Sequence, residues 1–527
     1  MPLTDSVEQG DGSSSSRVST ASLYALGIFT AANFLNYLDR SIVGILAEAI
    51  KADLHLDDAQ LGFLLGTAFS VFYSIVGIAM GGIADRLRRK HVMAFGLVLW
   101  SSMTALGAMA SSFFWLSMAR FGVGIGEAVA NPCSHSLLSD IFPKRNRSLA
   151  LGVYLSGAYI GGALALLVGG YFLQNWPTLC VDVPWAGACS LASWKAALWA
   201  VGLPGIPLAL ILLTVQEPTR RASAEPGAAA AVIGRELTAS LPPFTLLAVQ
   251  RLAGWKGLLV NLAIVAGVCC FAWLMVLITG DLIQWAAVSL GVYTILTWGQ
   301  IQRLRDRPLF ALTFGDPTFV LATLGASFIG CILGAVTSWS APFMMRTYTL
   351  SPVEIGLTLG ITHSVGALAG ILLGGWFTDR WKLKDKSAPM WMCMICVSLA
   401  VPNVCLMLAI KDIQLFFVGA AGLAMCAAAW SGGVAAMVQD LVLPRMRGSA
   451  AACYSLVVLL VTFGVGPYWA GKVSAITGSL SAGLFSVLLL VPIALIVQWL
   501  AARRLPRETA SRRADLARAA GEQSFAA

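Results

Sequence analysis

Four ionisable residues sit inside long apolar runs of this 527-residue chain: Asp39, Arg40, Arg120 and Glu127. A charge placed at the centre of a bilayer costs at least ~2.5–3.5 kcal/mol even on insertion scales, so each needs a partner or water, and the group marks a working site. On a helix, Asn33, Asn36 and Arg40 fall at i, i+3 and i+7 and form one stripe. Asp39 points about 100° away from Arg40, so the neighbouring acid and base do not simply neutralise each other. Arg120, Gly124, Glu127, Asn131 and Ser134 repeat at helical spacing and predict one continuous small-and-polar face, with Arg120 and Glu127 about 10 Å apart along the axis. Two chemistries fit this set. One is a fixed ion-pair network joining two helices. The other is proton switching: burial raises a carboxylate's proton affinity and a nearby guanidinium lowers it, so exchanging partners makes the acid bind and release a proton in turn. The second is the expectation, with Asp39 and Glu127 as proton-coupling acids and Arg40 and Arg120 as their charge partners or as anion contacts.

Other residues have polar tips within apolar runs. Asn33, Asn36, Tyr73, Asn131, Tyr159, Ser340, His363 and Trp430 are candidates for lining a cavity, against the alternative of ordinary helix packing. His135 is expected to pack. In the second half of the chain, Asp316, Glu354 and Asp440 all fall near the ends of apolar runs, which predicts an apolar and aromatic wall facing the charged first half. Asp85, Arg86, Asp379 and Arg380 lie at run ends and are candidate gating residues. Most of the 11 Cys lie in apolar runs, and no metal site or cofactor is expected. Cys180 and Cys189 share one polar loop and are a candidate disulfide, the alternative being two unpaired thiols.

The elements that must position these residues follow from composition. Hydrophobic residues make up 58% of the chain and charged residues 12%, about half the ~25% of a soluble domain. The mean hydropathy is +0.78. These values exclude a soluble multidomain protein and a disordered chain, and they predict an all-α polytopic membrane protein. The net charge of +9 resides in short loops, which gives no support to nucleic-acid binding. Apolar runs of about 20 residues fall into six, two and six, fourteen spans in all. The expected organisation is a disordered cytoplasmic tail (1–21), an N-terminal six-helix bundle (22–217), a cytoplasmic linker carrying an inserted transmembrane hairpin (218–312), a C-terminal six-helix bundle (313–503) and a basic cytoplasmic tail (504–527). Arg and Lys crowd alternate loops, so both termini are expected in the cytoplasm, and the chain in a plasma or inner membrane.

The two halves repeat each other. Gly81-Gly82-Ile83-Ala84-Asp85-Arg86 recurs as Gly375-Trp376-Phe377-Thr378-Asp379-Arg380, and Asp140-Ile141-Phe142-Pro143 recurs as Asp440-Leu441-Val442-Leu443-Pro444. Parallel repeats of this kind occur in transporters whose halves rock about a central site. The run Gly81 to Lys90 and the pattern Arg120-x-x-x-Gly124-x-Gly126-x-Ala128 resemble motifs of the major facilitator superfamily, with Arg88 standing where the general motif has Gly. More narrowly, Asn36-Tyr37-Leu38-Asp39-Arg40, Gly126-Glu127-Ala128, Ser139-Asp140-Ile141-Phe142-Pro143, Leu324-Gly325 and Trp339-Ser340-Ala341-Pro342 resemble the spinster family of lysolipid and sphingolipid transporters, in a bacterial-type form. The resemblance covers twelve spans and leaves out roughly 240–310.

That resemblance implies a transporter rather than an enzyme, moving a lysophospholipid or a sphingosine-1-phosphate-like amphiphile with protons, as a monomeric unit and without nucleic acid. No Walker, HExxH or GxSxG pattern points to ATP use or catalysis. Two alternatives stay open: a proton-coupled carrier or exporter of small organic anions or drugs, and a lipid sensor that does not transport.

Overall fold

The computed structural model describes residues 19–143, 145–182, 187–218, 229–443 and 446–519, without the side chains at 81, 85, 148, 229, 230, 235, 239 and 506–519. Most of the tail expected over 1–21, and the Asp85 side chain, lie outside the described residues. Within them every regular element is helical. The bilayer explains this, because a helix satisfies its own backbone polar groups where no water can.

The first half comprises α1 (Thr20–Leu54), α2 (Asp58–Gly62), a π turn (Phe63–Thr67), α3 (Ala68–Arg86), α4 (Arg89–Gly107), α5 (Phe113–Glu127), α6 (Ala130–Ile141), α7 (Arg147–Leu179), α8 (Ser193–Gly202) and α9 (Gly205–Leu212). Between the halves lie α10 (Ala229–Ser240), α11 (Thr245–Thr279), α12 (Leu282–Arg305) and α13 (Arg307–Leu312). The second half contains α14 (Pro317–Thr347), α15 (Pro352–Lys382), α16 (Ala388–Leu408), α17 (Ile413–Ala429), α18 (Ser431–Asp440), α19 (Arg447–Thr477), α20 (Leu480–Ser486) and α21 (Val491–Ala519). Eleven helical stretches among the described residues are long and apolar enough to cross a membrane, so the protein is an integral membrane protein. Polar residues cap many of the starts. Asp316 caps α14, and Ser351 with Glu354 forms a capping box on α15. Helix capping therefore accounts for two of the acids at span ends in the second half.

The halves meet along three seams: α1 with α14, α7 with α15, and α2–α3 with α19. Backbones touch there because the contact residues are small. A Cβ at Gly66 would stand 2.0 Å from the Phe463 carbonyl oxygen, and one at Gly356 would stand 2.2 Å from that of Leu166. These contacts lie toward one face, here called distal, which carries the turns near residues 55, 110 and 350. There Arg346 donates two hydrogen bonds of 2.7 Å to the Asp58 carboxylate and one of 2.9 Å to Glu48 Oε1. Lys51 Nζ (2.5 Å) and Ser474 Oγ (2.6 Å) also donate to Asp58. Asp58, at the start of α2, is buried at the centre of a clasp between the halves. Toward the opposite, proximal face the seam parts: a Cβ at Gly152 of α7 or at Gly375 of α15 would meet nothing within 4 Å.

Equivalent ends of the two repeats are pinned alike on the proximal face. Arg89 holds Asp140 at 2.6 Å, and Lys382 holds Asp440 at 2.6 Å. Arg89 also reaches Glu217 at 2.9 Å. Cys180 and Cys189 are joined in a disulfide in the distal loop after α7. Cys393 and Cys396, which have C-x-x-C spacing, are buried packing residues of α16.

The segment between the halves forms a helical hairpin, α11–α12, turning at Gly280 with φ +80°, a conformation natural to glycine. Asp281 at its tip accepts a hydrogen bond from Tyr468 (2.6 Å) and sits 2.8 Å from Lys472 Nζ. One turn on, Gln284 accepts from Thr67 Oγ1 (2.8 Å) and donates to the Gly464 carbonyl of α19 (2.7 Å), three residues before Pro467.

The clasp yields the first prediction. Arg346→Ala leaves the buried Asp58 without its main partner, a loss worth about 3–5 kcal/mol when such a pair is broken on one side. Spin labels at Met109 and Ile410, exposed positions in distal turns of opposite halves, should show distances shifted to longer values in Arg346→Ala. An unchanged distribution would mean that the clasp does not hold the distal face shut.

Candidate functional site

The site forms where α1, the α2–α3 segment, α4 and α5 converge. Asp39 and Arg40 do not pair with each other. Instead Arg40 Nη2 donates to Glu127 Oε2 at 3.0 Å, and Arg120 Nη1 lies 3.6 Å from Asp39 Oδ1. Thr104 of α4 donates to the other Asp39 oxygen. The result is two crossed ion pairs, each joining α1 to α5. Asp39 is 2% exposed, Arg120 5% and Glu127 0%, while Arg40 retains a partly open face. Glu127 Oε1, Arg120 Nε and Asn36 Nδ2 are buried without hydrogen-bond partners, so the network is only partly satisfied.

Aromatic rings complete the cup. The Arg40 guanidinium stands 4.3 Å from the Phe69 ring centre, 5.0 Å from Tyr37 and 5.3 Å from Tyr73. Ring faces attract cations, most strongly out of water, so these rings help to hold the guanidinium in place. Phe69 also reaches Arg120, at 5.8 Å. Gly124 makes this approach feasible: a Cβ there would stand 2.5 Å from the Phe69 carbonyl oxygen. Sequence reasoning missed Phe69 and the role of Tyr37, although Tyr37 sits three residues before Arg40, the spacing of helical neighbours.

The polar face expected along 120–134 is interrupted. The helix breaks between Glu127 and Ala130. Pro132 has no N–H for the Ala128 carbonyl four residues back, which loosens the turn there. Asn131 therefore belongs to α6, where it donates to Tyr73 OH (3.2 Å) and accepts from Tyr154 OH (3.2 Å). Asn33 donates to the Tyr154 carbonyl at 2.9 Å. Asn33, Asn36 and Trp430 are buried among packed helices.

Arg40 and Arg120 open onto a central cavity of about 570 Å³ between the halves, whose wall also includes Tyr37, Tyr159, Ser340 and His363. The second-half wall is not the aromatic surface expected. It carries Thr337, Ser338, Ser340, Ser364 and Ser431 among alanines, with Phe463 and His363 as its aromatic rings. Much of that polarity is turned away: Ser340 and Thr337 donate to carbonyls of their own helix, at 2.8 and 2.9 Å, and Ser431 donates to the Ala428 carbonyl at the end of α17, at 2.9 Å. His363 Nε2 is buried and has no hydrogen-bond partner.

The candidate gating residues lie away from the cavity on the proximal face. Arg86 pairs with Glu236 of α10 at 2.8 Å. Asp379 and Arg380 are exposed at the end of α15, with Arg380 over the Trp376 ring at 5.9 Å.

Two repeated helical bundles, tight at one face and parted at the other around a cavity with buried charge, are the architecture of a membrane transporter. The sequence pattern of the Major Facilitator Superfamily matches residues 29–345 and 323–527, and the chain belongs to that superfamily. It is 26% identical over 491 residues to an MFS-type efflux pump of Mycolicibacterium smegmatis, covering 92% of this chain and 93% of the relative. It is 30% identical over 209 residues to a sphingosine-1-phosphate transporter of Danio rerio, covering 39% of this chain and 38% of the relative. The fold resembles a crystal structure of a bacterial homologue of the human lysosomal transporter Spinster, inward-facing and unoccupied, with a TM-score of 0.70 and 23% identity over 92% of this chain and 98% of that one.

The α5–α3 contact is testable by packing alone. Gly124→Val should lower the melting temperature, with overpacking costing about 1–3 kcal/mol. Gly152→Ala, whose added Cβ meets nothing within 4 Å, should melt with the wild type. Equal melting of all three proteins would show that the helices need no close approach there.

Proposed function

We propose that the chain is a proton-coupled secondary transporter that moves a lysophospholipid or a sphingosine-1-phosphate-like amphiphile by alternating access. The observation that carries this reading is the pair of crossed ion pairs on the wall of the central cavity. In the topology proposed, fourteen spans place both termini and the proximal face in the cytoplasm. The six-helix bundles over 22–217 and 313–503 flank a 218–312 linker with its hairpin, and tails follow at 1–21 and 504–527. The conformation is then inward-facing, held by the distal clasp.

The mechanism follows from competition for guanidinium. Arg40 cannot give the same donors to Glu127 and to an anionic headgroup. A phosphate entering the cavity draws Arg40 away, and Glu127, left buried without its cation, takes a proton. Asp39 and Arg120 repeat this logic with Thr104 as a second anchor. Asp39 and Arg40 share α1 with Glu48 and Lys51 of the clasp, Glu48 lying about 12 Å from Arg40 along the helix axis. Displacement of α1 therefore couples charge exchange to opening of the distal face. Tyr159, Ser340 and His363 would contact the substrate directly, and the alanine-rich second-half wall suits its alkyl chain. Asp85, Arg86, Asp379 and Arg380 would gate the proximal face. The sphingosine-1-phosphate transporter among the relatives supports this substrate class.

A second reading, export of small organic anions or drugs, is favoured by the efflux pump that matches nearly the full length of the chain. In proteoliposomes, a pH gradient should drive uptake of labelled lysophospholipid, with Asp39→Asn and Glu127→Gln abolishing the gradient-driven part. Wild-type coupling in both variants would refute the proton role. Uptake competed by drugs or organic anions but not by lysolipids would select the second reading. Lipid binding without counterflow would make the protein a sensor.

A further inference from the structure

A second cavity lies outside the transport path, in a crevice of about 290 Å³ bounded by α12 of the hairpin, α14 and α19. Val292, Ile295 and Leu296 form one wall, Phe319, Val320 and Leu324 another, and Val457, Leu460 and Val461 the third. Thr323 is the only hydroxyl on the wall, and it donates to the Phe319 carbonyl at 2.8 Å. A space lined this way offers water nothing to bind and stays dry. α19 lies between it and the central cavity: Leu459 and Phe463 line one, Val457, Leu460 and Val461 the other.

The crevice has a polar end on the proximal side. Arg303, seven residues after Leu296, lies on the same face of α12 and about 10 Å further along it. Its guanidinium stands 5.8 Å from the Phe310 ring centre, and Phe310 stacks at 6.0 Å on Phe314, which lines the crevice. Arg305 and Arg307 are exposed beside it, and the local acid Asp306 caps α13 through Leu309 N. Leu296 and Leu324 have exposed faces at the crevice, so it is reached from the surrounding hydrocarbon. An apolar slot at membrane depth, ending beneath exposed arginines, has the shape and charge order of an anionic phospholipid.

We propose that this crevice is a resident-lipid site. One acyl chain of an anionic bilayer phospholipid fills the slot between α12 and α14–α19, and its phosphate lies at Arg303 and its neighbours. The lipid packs the inserted hairpin against the second half. The site is independent of what the central cavity carries, and its test needs no transport.

The experiment is native mass spectrometry of the full chain in detergent after stepwise delipidation, followed by addition of phosphatidylglycerol or phosphatidylcholine with matched chains, with melting temperature measured in parallel. The expected result is one phosphatidylglycerol retained per chain, and recovery of the melting temperature with phosphatidylglycerol but not with phosphatidylcholine. Leu296→Trp fills the slot and should abolish retention. Arg303→Ala with Arg307→Ala should weaken it about tenfold or more while leaving the slot intact. Equal retention of both lipids, or unchanged retention in both variants, would overturn the proposal. Should Leu296→Trp fail to fold, the arginine variant alone decides. Retention that lysophospholipid displaces as readily as phosphatidylglycerol would also overturn it, by making the crevice an annex of the transport site.

Discussion

Everything in the first half is arranged around the difficulty of keeping four charges in hydrocarbon. Any one of them alone would be expelled or neutralised. Together they form crossed pairs between α1 and α5, so neither helix can shift without leaving a charge unmatched. The aromatic cup of Tyr37, Phe69 and Tyr73 gives the Arg40 guanidinium a second set of contacts beside its acid. The small residue at position 124 lets the segment carrying Phe69 approach closely enough to build that cup. Buried polar atoms left without partners in the network keep it short of its most stable arrangement. A site meant only to glue two helices would gain from satisfying them.

The distal clasp works on the same chemistry with a different purpose. Asp58 collects Arg346, Lys51 and Ser474 from three helices, two of them in the second half. α1 contributes to both the clasp and the charged site, so one helix links the distal contact between the halves to the crossed ion pairs. The proximal pairs Arg89–Asp140 and Lys382–Asp440 stay within their own halves and hold each bundle together as a body.

Much of this was legible in the sequence, for identifiable reasons. Apolar run length, the alternation of basic loops and the repeated Asp-Arg motifs report helices and internal repetition directly, because hydrocarbon punishes exceptions. The four charges stood out because their surroundings were apolar. What could not be read were relations between distant segments. Asp58 lies between two apolar runs, and only the fold brings Arg346 to it. The polar face over 120–134 was drawn through Pro132, whose missing N–H breaks the helix. The second-half wall was expected to be apolar and aromatic, whereas it is built of alanines and of hydroxyls, three of which spend their hydrogen bonds on nearby main-chain carbonyls. Glu354 and Asp316 cap helices, which their positions at run ends allowed but did not require.

The hairpin has a mechanical consequence. Through Gln284 it is bonded at once to Thr67 of the first half and Gly464 of the second, and its tip is held by Tyr468 and Lys472. It thus lies across the α3–α19 seam as a splint lies across a joint, while no described element spans the α7–α15 seam in the same way. The two lateral edges of the molecule are therefore unequal: one is a spine, the other a fore-edge. In the alternating access proposed above, rocking of the halves would be closer to the turning of a page than to a symmetric seesaw, with the wider lateral gap forming on the side away from the hairpin.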